Sequence, residues 1–151
     1  MPVSIMAESI LDRTDVNRQS RETILVVDDE PAIRELLAAI LGRVGYSVLV
    51  AANACEAASI FEGHLTEIDL IITDVWMPGV TGPHLVERLL SIQPGLKCIL
   101  MSATDRPDLE RDVPFLRKPF SIFQLLSGVV EALQDCEMRP VAGGLRLERQ
   151  G

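Results

Sequence analysis

Three things are scarce in this sequence, and each scarcity removes a class of function. Cysteine is rare and odd in number: Cys55, Cys98 and Cys136 lack metal-ligand spacing and cannot form a disulfide framework, so they read as small, reduced apolar residues. That pattern suits the cytoplasm. There is no basic stretch leading into an apolar run near Met1, and no uncharged apolar segment of about 18 residues, so neither secretion nor membrane insertion is indicated. Positive charge is short as well. Fourteen Lys and Arg face 22 Asp and Glu, for a formal net charge of −8, and such a surface repels nucleic acid and anionic lipid. The expected partner is another protein.

What is present fits one domain. A chain of 151 residues with 48% hydrophobic content can bury one substantial core but not a second of ordinary size. Residues 1–22 mix polar and charged side chains without apolar periodicity and read as a flexible leader. Residues 23–135 read as the folded domain. Residues 136–151, broken by Gly143-Gly144, read as a flexible tail too short for an output module.

Within the domain a short β-branched run alternates with helical periodicity. Ile24-Leu25-Val26-Val27 stops abruptly at Asp28-Asp29-Glu30, as a buried parallel strand ending at a polar crevice would. Pro31 opens a helix whose apolar residues are Ile33, Leu36, Leu37, Ile40, Leu41 and Val44, and Gly45 ends it before a strand at Ser47 to Ala51. Further on come a helix from Cys55 to Phe61, a strand Leu70-Ile71-Ile72 ending at Asp74, a helix from Pro83 to Ile92, a strand at Cys98 to Met101, a short strand Phe115-Leu116, and a helix from Phe120 to Leu133. This α/β alternation predicts a doubly wound parallel sheet with its site beyond the carboxyl ends of the strands.

Asp28, Asp29 and Asp74 would then meet at one edge of the sheet. Clustered carboxylates must raise one another's pKa or recruit a cation, and a hard, oxygen-only site with few protein ligands suits Mg²⁺. A cation there would let Asp74 act as a nucleophile toward phosphorus, with Lys118 and Ser102 from neighbouring strand ends available to the phosphoryl oxygens. Each residue alone has a bland reading: an acidic pair solvating a helix start, a turn aspartate, a surface lysine, a serine helix cap, a packing tryptophan. His64 and His84 read as surface residues.

The ordered motifs Ile24 to Glu30, Asp74-Val75-Trp76-Met77-Pro78 with Gly82, Ser102-Ala103 and Lys118-Pro119-Phe120 resemble the receiver domains of two-component response regulators. The resemblance implies a flavodoxin-like five-stranded sheet of order 2-1-3-4-5. It also implies Mg²⁺ held by Asp29, Asp74 and the Trp76 backbone carbonyl, with Asp28 acting through water. Asp74 would be the phosphoacceptor, Lys118 and Ser102 would hold the phosphoryl group, the Lys118-Pro119 bond would be cis, and Ser102 with Phe115 would form the switch. A histidine kinase or histidine phosphotransfer protein would supply phosphate, an unidentified downstream protein would read it, and the chain would be a monomer or weak dimer rather than an enzyme acting on other substrates.

One departure stands out. Between Ser102 and Phe115 there is too little sequence for the loop, helix and loop usual in that family, so the fourth helix is expected to be truncated or replaced by a loop. This motivates an alternative, a phosphorylation-independent binding module. A phosphohydrolase is the third reading; it is weakened because the residue two after Asp74 is Trp76 and not a second aspartate that could act as general acid.

Overall fold

The run Thr23–Val27 forms the strand β1, and from Ile24 onward every residue in it is buried, because helices cover both faces of the sheet. A computed structural model describes residues 21–107 and 112–138 of the chain. The expected leader 1–22 and tail 136–151 therefore fall almost wholly outside the described residues.

Chain order after β1 is α1 (Pro31–Arg43), β2 (Ser47–Ala51), α2 (Ala54–Gly63), β3 (Leu70–Asp74), α3 (Gly82–Ile92), β4 (Lys97–Ser102), β5 (Phe115–Arg117) and α4 (Ile122–Met138). The strands form one parallel sheet in the order β2-β1-β3-β4-β5, as the sequence resemblance implied. Alternate residues along a strand point to opposite faces, and this divides the core in two. Leu25, Val27, Ile71 and Leu100 pack with Phe61 of α2 and Leu85 and Leu89 of α3. Ile24, Val26, Ile72 and Ile99 pack with Leu37 and Leu41 of α1 and Leu125 and Val129 of α4.

Local chemistry sets the helix boundaries. Pro31 occupies the first turn of α1, where its missing N–H costs nothing, and beyond its end Gly45 adopts φ 110°, which a side chain would resist. Asn53 caps α2 by accepting the Glu56 N–H at 2.8 Å. The last helix starts later than its apolar periodicity suggests and runs further, to Met138. Ser121 and Gln124 form a reciprocal cap, with Gln124 N–H donating to Ser121 Oγ at 3.0 Å and Ser121 N–H donating to Gln124 Oε1 at 2.8 Å.

The crossover from β4 to β5 is shortened as expected. Residues 103–107 and 112–114 form no helix, so among the described residues the sheet carries four helices. β5 is correspondingly thin, three residues long and only half-buried at Phe115 and Leu116. None of the helices described is long and apolar enough to cross a membrane.

Candidate functional site

The carboxyl ends of four strands deliver their polar residues to one rim. Asp28 follows β1 and is fully buried, yet each of its polar groups is satisfied. Its Oδ1 accepts the Glu30 N–H at 2.9 Å, its Oδ2 accepts Lys118 Nζ at 2.9 Å, and its carbonyl oxygen accepts Arg34 Nη1 at 2.7 Å. Lys118 arrives from beyond β5, held by its own N–H, which donates to the Ser102 carbonyl at 2.8 Å, and followed by a cis bond to Pro119. Its ammonium also lies 3.5 Å from Asp74 Oδ1.

Asp28, Asp29 and Asp74 each place a carboxylate oxygen within 4.8 Å of the others. Asp29 is exposed, whereas Asp74 is 9% exposed at the end of the central strand. Burial pushes the Asp74 carboxyl up to about 6; Lys118 opposes this, and the charges of Asp28 and Asp29 add to it. For Lys118, burial would lower the pKa, but the hydrogen bond and charge of Asp28 and the charge of Asp74 outweigh burial and raise it. The ammonium therefore stays charged. Three clustered carboxylates, two of them against one lysine, leave excess negative charge on hard oxygens at a partly open rim, and this donor set fits a Mg²⁺ ion that keeps several waters.

The loop after Asp74 is folded tightly against the strand end. Gly82 N–H donates to the Val75 carbonyl at 2.9 Å, and a Cβ on Gly82 would collide with the Asp74 carbonyl oxygen. The glycine of the sequence motif thus has a steric cause. Thr81 caps α3 from the same loop. Trp76, two residues past Asp74, is 59% exposed, and its indole N–H donates to Thr104 Oγ1 at 3.2 Å.

Ser102 ends β4, one residue beyond Met101, which is the register partner of Asp74, and it is buried. Its hydroxyl is bonded to Thr104 Oγ1 at 2.9 Å and accepts the Thr104 N–H at 3.0 Å. Direct contacts therefore join Asp28 and Asp74 to Lys118, while Ser102 is on the same rim but engaged with Thr104. Phe115 opens β5, half-buried against the core face that holds Leu100. His64 pairs with exposed Glu67, and His84 is exposed on α3, so neither histidine belongs to the site.

Sequence reasoning missed Thr104 and Arg34. The signal for Thr104 was a second hydroxyl two residues after the strand-end serine, a spacing that favours local side-chain to backbone bonding. Arg34 had none, because its role comes from the first turn of α1 facing the end of β1.

Comparison with known proteins agrees with this geometry. The sensor kinase CckA of Brucella abortus is 34% identical over 139 residues, which cover 88% of this chain but 14% of the kinase. Sporulation initiation phosphotransferase F of Bacillus subtilis is 30% identical over 118 residues, 74% of this chain and 94% of that protein. The solved response regulator TrrA of Thermotoga maritima, in complex with Mg²⁺ and BeF, superposes with a TM-score of 0.67 at 36% identity, covering 74% of this chain and 99% of that one. This chain spans only 14–25% of the length of the first curated relatives it matches, the kinase and three NtrC transcriptional regulators. The response regulator receiver domain model matches residues 24–129, and the chain belongs to that family of two-component signalling domains.

Proposed function

We propose that the chain is a Mg²⁺-dependent phosphoacceptor that takes a phosphoryl group onto Asp74 from a histidine kinase or histidine phosphotransfer protein. The observation that carries this reading is the cluster of Asp28, Asp29 and Asp74 within 4.8 Å, with the Lys118 ammonium against both Asp28 and Asp74. Asp29, Asp74 and the Trp76 carbonyl would hold Mg²⁺, with Asp28 acting through water; the bound ion would offset charge on the phosphoryl oxygens that otherwise repel a carboxylate.

The chain's own groups divide the remaining work. An Asp74 carboxylate oxygen attacks phosphorus, forming an acyl phosphate as the phosphorus–nitrogen bond of the donor phosphohistidine breaks and its electron pair returns to the imidazole. Lys118, anchored on buried Asp28, supplies a fixed positive charge to a phosphoryl oxygen, and Ser102 supplies a hydroxyl hydrogen bond. Ser102 and Phe115 would then change conformation and alter the surface read by a downstream protein. The domain spans residues 23–135, acts in the cytoplasm as a monomer or weak dimer, binds neither nucleic acid nor membrane directly, and promotes only its own phosphorylation and dephosphorylation.

Intact-protein mass after incubation with acetyl phosphate and Mg²⁺ tests this. A phosphate adduct on the native chain, absent from Asp74→Ala and absent without Mg²⁺, is expected. A folded native chain that binds Mg²⁺ but never gains the adduct, even at short times and low temperature, would favour the phosphorylation-independent binding module.

A further inference from the structure

The Trp76 indole favours one direction in the hydroxyl pair beyond β4. An indole N–H can only donate, so the 3.2 Å contact from Trp76 Nε1 occupies a lone pair of Thr104 Oγ1. The Thr104 hydroxyl hydrogen is then available to Ser102 Oγ, 2.9 Å away, which also accepts the Thr104 backbone N–H at 3.0 Å. A serine oxygen has two lone pairs and one hydrogen. When Thr104 donates its hydroxyl hydrogen as well as its backbone N–H, both Ser102 lone pairs are filled and the Ser102 hydrogen is left to donate elsewhere. Ser102 is 1% exposed, so bulk water does not serve that hydrogen, and the strand register puts the residue on the rim that holds Asp74.

We infer that Thr104, anchored by the Trp76 indole, is a positioning residue that orients the Ser102 hydroxyl as a hydrogen-bond donor toward an anionic group on Asp74. The inference rests on the phosphoacceptor reading above. Hydrogen bonds in such a chain polarise one another in a single sense, so each donor strengthens the next. Thr104 itself is exposed, so replacing it leaves the core untouched. Trp76 is the only tryptophan, and its emission therefore reports on the chain of hydrogen bonds directly.

The probe is beryllofluoride with Mg²⁺, titrated calorimetrically into the native chain and into Thr104→Val, Thr104→Ser, Ser102→Ala and the Ser102→Ala/Thr104→Val double variant. Thr104→Val should weaken beryllofluoride binding about fivefold and Thr104→Ser less than about twofold, the scale of one oriented hydrogen bond. In the Ser102→Ala background Thr104→Val should cost nothing further, because its effect passes through that hydroxyl. The same Thr104→Val change should shift Trp76 emission before any ligand is added, and Thr104→Ser should not. Thr104→Val binding equal to or tighter than native would overturn the inference, the tighter result meaning that Ser102 donates to Thr104 instead. An equal loss in the Ser102→Ala background, or native-like binding by Ser102→Ala, would also overturn it. If the native chain takes up no beryllofluoride in Mg²⁺, the phosphoacceptor reading fails first and this inference falls with it.

Discussion

The two halves of the rim are built to different standards. On the β1–β3 side, the strands are buried along nearly their whole length, Asp28 is fixed from three directions, and the glycine behind Asp74 leaves the loop no slack. On the β4–β5 side, the crossover is short, β5 has two half-buried residues and one exposed, and, Lys118 apart, the polar groups are the Ser102 and Thr104 hydroxyls and the Trp76 indole, linked by neutral hydrogen bonds. Charges at close range need rigid support, since a buried carboxylate without its partner is costly. Groups that must rearrange need the opposite, bonds weak enough to exchange. In this chain the charged half is prepared and the responsive half is loosely held.

Core truncation should expose that difference most strongly. Ile72→Ala on β3 should lower unfolding stability by about 3–4 kcal/mol, whereas Leu116→Ala on half-buried β5 should cost about 1 kcal/mol, both read from urea denaturation. Equal costs would break the contrast between the halves.

Gly82→Ala should follow, at about 2–3 kcal/mol, because the new methyl group meets main chain that cannot rotate away. It should also impair phosphate uptake by Asp74. A variant with native stability and native uptake would mean that the loop after β3 yields as readily as the other half.

Asp74→Asn should move stability the other way. The folded-state carboxyl, raised to about 6 from an ordinary 3.8, makes folding most favourable where Asp74 is protonated. That contribution is fully present below 3.8 and lost as pH rises through 6, so at neutral pH ionised Asp74 is a burden on the fold. Removing the charge should stabilise the metal-free chain by about 1–2 kcal/mol at neutral pH, after allowance for solvent screening, and the gain should shrink as the pH is lowered toward the ordinary carboxyl value. Millimolar Mg²⁺ should stabilise the native chain and leave Asp74→Asn nearly unmoved. Thermal melts across this pH range check both statements.

The smallest effect is expected beside β5. Arg117 Nη1 meets Asp105 Oδ1 at 2.9 Å, but both side chains are largely in water. Asp105→Asn should change stability by less than about 0.5 kcal/mol, and added salt should erase the difference.

The strands were legible because buried parallel strands are written as unbroken apolar runs, and Val27 to Asp28 and Ile72 to Asp74 mark where such runs meet the rim. Helix ends were less so. The periodicity around Phe120 suggested an earlier start, and the Ser121 and Gln124 cap, a two-residue signal, decided otherwise. At the site, Asp28, Asp29, Asp74 and Lys118 were legible from their places after strands, as was the short crossover between Ser102 and Phe115. Thr104 and Arg34 were not, since neither sits in a motif: the Trp76 indole reaches Thr104 from another strand end, and Arg34 meets Asp28 only once the first turn of α1 folds over the end of β1.

By itself, then, the sequence determined the order of elements, the two-faced core and which strand ends carry charge, because strand and helix periods and turn residues are local properties of the chain. Only the tertiary structure decided that Lys118 is anchored on Asp28 while facing Asp74, that burial raises the pKa of the Asp74 carboxyl, and that Trp76, Thr104 and Ser102 are joined by hydrogen bonds. Those are questions of distance between residues far apart in the chain, and burial and electrostatics follow distance in space rather than position in sequence.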